Sequence, residues 1–268
     1  MASYFRGPAA EFNPLSEKYM NRILNEEIDL YFKYIELMKK AIDSISSSEP
    51  TITPHLKYLS CVGLIDTLAK CVNNPNQKGN YIKFTNFIKH FCDWSDSSKI
   101  SLPHLVRYLQ LIPSPDFEEL RKYANSSIAK WQDGKIYYLD SDPTYEEIYK
   151  LWPKDKEHKE PIEKVSLESV THLSLFWRFR NSIVHELQIP GYGMPELVSK
   201  TPGYHSMTHD AGGNEENPIE TWELVYPVPF IMELITNGSK RLKQYCIDNS
   251  LNPYDYYKFG SYWIDELN

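Results

Sequence analysis

This chain of 268 residues has few cysteines, no long apolar run and no excess of positive charge. Each of these features excludes a class of protein. Four cysteines are present, with neither a CxxC pair nor the spacing of a zinc site. No apolar run is long enough to cross a membrane, and the N-terminal segment lacks the basic start and apolar stretch of a secretory signal. We therefore expect a cytoplasmic protein without a membrane partner, with reduced, buried thiols at Cys61, Cys71, Cys92 and Cys246.

The charge balance is acidic, with a formal net charge of −7. A protein that coats nucleic acid without sequence preference is broadly basic, so that class is excluded, whereas an enzyme with a small basic site is not. No Walker-type or dinucleotide-binding loop is present, because the glycines of residues 191–203 lack a strand–turn–helix frame. His205, His209 and Asp210 fall in a stretch rich in glycine and proline, where the helical spacing of metal ligands fails. We expect neither a metal nor a cofactor.

Hydrophobic residues make up 41% of the chain, enough for a sizeable core, and their spacing predicts a mainly α-helical fold. A long amphipathic helix over residues 16–47 is stopped by the prolines of SSSEPTITP. Similar patterns predict further helices over residues 55–73, 80–94, 102–111, 116–130, 144–152, 166–187 and 229–249.

The β structure is predicted to be small. Residues 131–139 fit either a hairpin that turns at Asp133–Gly134 or a loop, and residues 221–227 fit a short strand. Residues 188–218 are predicted to form a long loop. We expect three parts: an N-terminal arm and helix over 1–50, a helical domain with a small β insertion over 51–250, and a C-terminal tail over 251–268.

One predicted helix, which contains FWRFRNSIVHEL at residues 176–187, places a charge among apolar side chains. On a helical wheel Arg180 lies at the centre of a wide apolar arc formed by Leu173, Phe176, Trp177, Phe179, Ile183, Val184 and Leu187. An unpaired guanidinium in a dry core costs several kcal/mol, so Arg180 needs a partner. Either it pairs with a buried carboxylate, for which Asp66 is suited, or it borders a cleft that admits an anion.

Asn181 and His185 favour the cleft, because they are four residues apart and lie beside Arg180 on one face of the helix. Arginine grips phosphate oxygens in a bidentate fork, and histidine transfers protons near neutral pH. RNA supplies its own nucleophile, the 2′-hydroxyl, so a site of this composition needs no metal. Asp66, Arg178 and Ser182 are predicted to contact the substrate.

RNSIVH at residues 180–185 resembles the motif of the HEPN superfamily (higher eukaryote and prokaryote nucleotide-binding domains), which is an arginine, a polar residue, a few residues and a histidine late in a helical bundle. YLSCVGLIDTLAKC (58–71) and NYIKFTNFIKHFC (80–92) resemble the first helices of members of the defence and toxin type. The resemblance covers residues 52–250.

The resemblance implies a metal-independent endoribonuclease that leaves a 2′,3′-cyclic phosphate and a 5′-hydroxyl. It implies a homodimer whose composite site uses the motif residues of both copies. In that site Arg180 binds the scissile phosphate, His185 is the acid or base, and Asn181 positions RNA or the imidazole.

The position two residues after the histidine is usually tyrosine in toxins of this type that pair with a nucleotidyltransferase antitoxin. It is Leu187 here, so inactivation by tyrosine modification at this position is not expected. We expect a toxin or antiphage role, with RNA as substrate and a possible antitoxin or regulatory partner. The alternative is a non-catalytic HEPN-like module that binds nucleotide, RNA or a protein, but the retention of Arg180 and His185 favours activity.

Overall fold

The structure is a computed structural model that describes residues 14–49, 52–72, 79–153, 166–191, 200–210 and 218–256. Within this part of the chain it contains eight α-helices: α1 (Pro14–Asp43), α2 (Ile52–Lys70), α3 (Asn80–Phe91), α4 (Leu102–Gln110), α5 (Glu118–Ile128), α6 (Tyr145–Leu151), α7 (His172–His185) and α8 (Val228–Asp248). The prediction of a mainly helical protein is therefore confirmed. None of the described helices combines the length and the apolar character that a membrane span requires.

Helix α7 is shorter than predicted. Residues 167–170 form a separate turn of 3₁₀-helix, and Thr171 has an extended backbone with ψ of 151°. The hydroxyl of Thr171 accepts a hydrogen bond from the amide of Ser174 at 3.2 Å, which caps the first turn. The helix therefore begins at His172 instead of near Ser166, because this capping geometry requires a non-helical residue at Thr171.

The helices enclose two hydrophobic clusters. The first joins α1, α2, α3, α7 and α8, and its fully buried members include Ile35, Ile65, Phe87, Phe176 and Ile231. The second joins α4, α5 and α6 around Leu105, Phe117, Leu120 and Ile148. Trp131 packs against both clusters.

Helix α1 belongs to the first cluster, because its side chains pack against α2 and α8. The domain boundaries predicted near residues 50 and 250 stay predictions, and residues 257–268 of the predicted tail lie outside the described part.

All four cysteines are buried and free, as predicted. Burial raises the pKa of the Cys61 and Cys246 thiols to about 12 each, so both are protonated at neutral pH.

A small antiparallel sheet has the order β1 (Ile136–Tyr138), β2 (Gly203–Asp210) and β3 (Pro218–Val225). The strand predicted at residues 221–227 is confirmed over 221–225, where it is the second half of β3. The loop predicted over residues 188–218 is wrong in part, because β2 lies inside it. The partner of β1 is also not local: Tyr137 lies opposite Tyr204 of β2, so Asp133–Gly134 does not join two paired strands.

An aromatic cluster explains the long-range pairing of β1. The ring of Tyr137 stacks on that of Trp131 at 4.5 Å. Both rings meet Trp222 on β3 at nearly right angles, with centroid distances of 5.4 Å for Tyr137 and 5.0 Å for Trp131. Packing of these three large rings against one another outweighs the preference of a short segment for a local hairpin.

The contact between α8 and α3 depends on a residue without a side chain. A Cβ atom on Gly238 would lie 2.5 Å from Cζ of Phe87 and 2.9 Å from Sγ of Cys92, and both neighbours are fully buried. We expect Gly238→Ala to lower the free energy of unfolding by about 1–3 kcal/mol through overpacking, although alanine favours the helix. Urea denaturation would measure the change.

Thr236→Ala is the matched control, because Thr236 is exposed on the same helix. Its effect should be a gain of less than about 1 kcal/mol. Equal stability of the Gly238→Ala variant and the wild type would show that α3 and α8 can move apart at no cost.

Candidate functional site

The guanidinium of Arg180 forms a two-point ion pair with Asp66 across the contact between α7 and α2. Nε donates to Oδ2 of Asp66 at 3.0 Å and to Oδ1 at 3.3 Å, and Nη2 also donates to Oδ2. The side chains are 10% and 26% exposed, so solvent screens this pair much less than a surface pair. Pairing with Asp66, one of the two alternatives for Arg180, is therefore confirmed.

The opposite edge of the guanidinium faces the other two motif residues. Nη1 of Arg180 donates to Oδ1 of Asn181 at 3.0 Å and lies 3.4 Å from Nε2 of His185. A guanidinium only donates, so Nε2 is the atom of His185 that faces a donor in this contact. Asn181 is half-buried and His185 is exposed. The structure therefore brings the three predicted catalytic residues together.

Donor capacity remains on Arg180 after these contacts are counted. A guanidinium has five N–H groups, and the second N–H of Nη2 has no partner among the described residues. The 3.4 Å contact with His185 is long for a hydrogen bond. An anion can therefore bind to the Nη groups without breaking the pair with Asp66.

The residues predicted to contact substrate are divided. Asp66 is part of the cluster through Arg180. Arg178 is exposed on α7, and the hydroxyl of Ser182 donates to Oε2 of Glu186 at 3.2 Å. Neither Arg178 nor Ser182 hydrogen-bonds to Arg180, Asn181 or His185 in the described part of the chain. Their role in substrate binding stays a prediction.

Exposed apolar side chains lie next to the motif. Leu187 is 64% exposed and has φ of 54°, a left-handed conformation that glycine usually occupies at the end of a helix. It lines a groove of about 260 Å³ together with Ile52, His55, Leu56, Leu59 and Ile183. Further along α2 a larger groove of about 690 Å³ lies between α1 and α2, and its lining includes Leu30, Tyr34, Met38 and Leu64. We call the two grooves together the α2 surface.

A buried polar network is a feature that the sequence did not predict. Nε2 of His172 lies 2.7 Å from Oδ2 of Asp142, and the Tyr204 hydroxyl donates to the same oxygen at 2.6 Å. Ser101 extends the network, with its Oγ 2.8 Å from Tyr204 and 2.8 Å from Nδ1 of His104. The Asp142 and His172 side chains are fully buried, so the network fixes the start of α7 and is closed to ligands.

The pKa shifts of two groups in the network agree with a structural role. Burial, followed by the charges of His172, Arg107 and Arg178, lowers the pKa of His104 to about 3. Burial and the carboxylate of Asp142 raise the pKa of Tyr204. His104 and Tyr204 are therefore both neutral at physiological pH. No sequence signal marks the network, because Asp142, His172 and Tyr204 are about 30 residues apart along the chain.

The structure describes no group of three or more His, Cys, Asp or Glu side chains that could hold a metal ion. His205 lies half-buried on β2, whereas the side chains of His209 and Asp210 are outside the described set.

Comparison of the chain with protein-family models, with curated proteins and with solved structures finds no match. The resemblance to the HEPN superfamily therefore rests on the motif residues and their helical surroundings alone.

The ion pair of Arg180 makes a testable contribution to stability. Asp66→Ala leaves a largely buried guanidinium without its counter-charge, so we expect the free energy of unfolding to fall by about 2–3 kcal/mol in chemical denaturation. Asp29→Ala is the control, because Asp29 pairs with Lys243 at 2.7 Å in a much more exposed setting. Its loss should stay below about 1 kcal/mol. Losses of equal size would contradict a special role for the Asp66 pair.

Proposed function

We propose that this protein is a metal-independent endoribonuclease of the HEPN type, acting as a cytoplasmic homodimer in a toxin or antiphage role. The observation that carries the proposal is the convergence of Asn181 and His185 on Nη1 of Arg180, at 3.0 and 3.4 Å. A charged donor, an amide and an imidazole meet at one partly exposed point. Together they are suited to bind a phosphodiester and to transfer a proton during its cleavage. The helical surroundings of the motif agree with a HEPN-like bundle.

In the proposed reaction the 2′-oxygen of RNA attacks the adjacent phosphorus while the bond to the 5′-oxygen breaks. His185 takes the proton of the 2′-hydroxyl or gives one to the leaving 5′-oxygen. Arg180 stabilises the negative charge that develops on the non-bridging oxygens. Asn181 accepts from Arg180 through Oδ1, which leaves its Nδ2 group to donate to the ribose or the phosphate.

Asp66 acts in this proposal as a positioning residue. A carboxylate repels phosphate, so direct contact with RNA is unfavourable for it. By holding Nε and Nη2 it fixes the plane of the guanidinium and directs Nη1 towards Asn181 and His185. Arg178 and Ser182, on the neighbouring side of α7, are assigned to contacts with the flanking nucleotides.

A second copy of the chain supplies what one copy lacks. An in-line displacement needs a base on one side of the phosphorus and an acid on the other, and one imidazole cannot occupy both positions in the same step. The part of the α2 surface that Ile183 and Leu187 line lies beside the motif and suits a partner that brings a second His185 to the shared site. We therefore propose the α2 surface as the dimer interface.

One observation favours the alternative function, a non-catalytic module. Most N–H groups of Arg180 already have partners within the chain, as in an ion pair that serves only the fold. In that case the protein binds nucleotide, RNA or another protein and does not cut RNA. The activity assay below separates the two functions.

The activity test uses purified protein and RNA in excess EDTA. We expect the wild type to cut RNA and to leave 2′,3′-cyclic phosphate ends, and His185→Ala to be slower by at least about a hundredfold. His90→Ala is the control, because His90 is exposed on α3 away from the motif, and it should cut like the wild type. Equal cutting by His185→Ala would show that the site is wrongly assigned. Absence of cutting by the wild type would favour the non-catalytic module.

The dimer test uses light scattering at micromolar concentration. We expect a mass of twice the 31.4 kDa of one chain, and a shift towards the monomer in Leu56→Glu, which places a charge on the α2 surface. Leu111→Glu is the matched control, because Leu111 is 81% exposed at the end of α4, and it should remain a dimer. A monomeric wild type would contradict a composite site.

A further inference from the structure

Two aromatic rings lie immediately beside the motif. Trp177 is half-buried on α7, and its ring is 5.0 Å from Cζ of Arg180, within the range of a cation–π contact. Tyr81, at the start of α3, is 42% exposed and meets Trp177 edge-to-face at 5.6 Å. Its hydroxyl is 3.3 Å from Oγ of Ser174, which fixes the ring along α7.

The order of side chains along α7 shows where this aromatic pair lies relative to the motif. Trp177, Asn181 and His185 are spaced by four residues and share one face of the helix. At 1.5 Å per residue, about 6 Å separates each from the next along the helix axis. The aromatic pair is therefore adjacent to the Arg180–Asn181 end of the cluster, and His185 lies at the other end.

Packing alone does not account for Tyr81. Phe84, its neighbour on α3, is fully buried and contacts Trp177 from the interior at 5.3 Å, so the core side of Trp177 is already occupied. Tyr81 adds a large ring at the surface, where much of it meets solvent. Its position next to a phosphate-binding guanidinium is one where an aromatic surface serves a nucleic acid.

We propose that Tyr81 and Trp177 form a stacking subsite for an unpaired nucleobase next to the phosphate held by Arg180. The proposal rests on the proposed ribonuclease function and adds the class of substrate. A base in a duplex is stacked between its neighbours and cannot turn onto a protein ring, whereas bases of single strands and loops can. The subsite therefore selects single-stranded RNA, with little dependence on base identity, because every base has a flat π-face.

The test measures binding separately from cleavage. The probe is a short, fluorescently labelled single-stranded 2′-O-methyl RNA, whose blocked 2′-oxygen cannot attack, and the comparison is the same strand with its central bases removed. We expect full-length wild-type protein to bind the intact strand at least about fivefold more tightly than the abasic strand. Tyr81→Ala and Trp177→Leu should abolish this preference, and Tyr81→Phe should retain it.

Tyr245→Ala is the matched control. Tyr245 is 40% exposed on α8 and meets Phe91 edge-to-face at 5.4 Å, so it has the exposure and geometry of Tyr81 without a neighbouring motif. It should keep the full preference for bases. Thermal unfolding of all variants identifies any that fail to fold, and the comparison of intact with abasic strand on the wild type and on the folded ring variants then carries the test.

The outcomes separate this proposal from the proposed function. If the wild type binds intact and abasic strands equally, or if Tyr81→Ala keeps the preference, the stacking subsite is wrong, whether or not RNA is cut in EDTA. If RNA is cut and the preference is lost only in the ring variants, both proposals are supported. If neither strand binds and no RNA is cut, both are overturned.

Discussion

The ion pair between Arg180 and Asp66 is the contact on which the rest of the site depends. It joins α7 to α2 inside an otherwise apolar boundary, where an unpaired guanidinium would be too costly to retain. Its two-point geometry also fixes the plane of the guanidinium, and that plane determines where Nη1 faces. One interaction therefore meets two requirements: it neutralises a buried charge and directs Nη1 towards Asn181 and His185.

The start and the middle of α7 are held by different contacts. The start is anchored by a closed polar network around His172 and Asp142, and the middle by the aromatic packing of Phe176 and Phe179 against Tyr226. The last two turns carry the motif and reach the surface. A helix fixed by its buried portion holds Asn181 and His185 in place without a loop that must rearrange, which is the condition for donors that act without reorganisation.

Periodicity was sufficient to predict the helices, because each of them buries an apolar face and the spacing of that face is local information. Asp66 could also be foreseen as the partner of Arg180, since a carboxylate on an apolar helix has the same need for a counter-charge. The strand β2 and the His172–Asp142 network could not. Tyr137 pairs with Tyr204 across more than 60 residues, and such contacts leave no pattern in a short window. The position of Tyr81 beside Trp177 likewise depends on the packing of α3 against α7, which a local pattern does not encode.

The backbone conformation and the exposure of Leu187 affect the stability of the chain as well as the shape of the site. A bulky residue in the left-handed region, with most of its side chain in solvent, is disfavoured both by its backbone and by its exposure. This position is locally frustrated: the isolated chain would be more stable with glycine there. Selection of variants for thermal resistance alone would remove Leu187, and with it part of the wall of the groove that it forms with Ile183 and the side chains of α2.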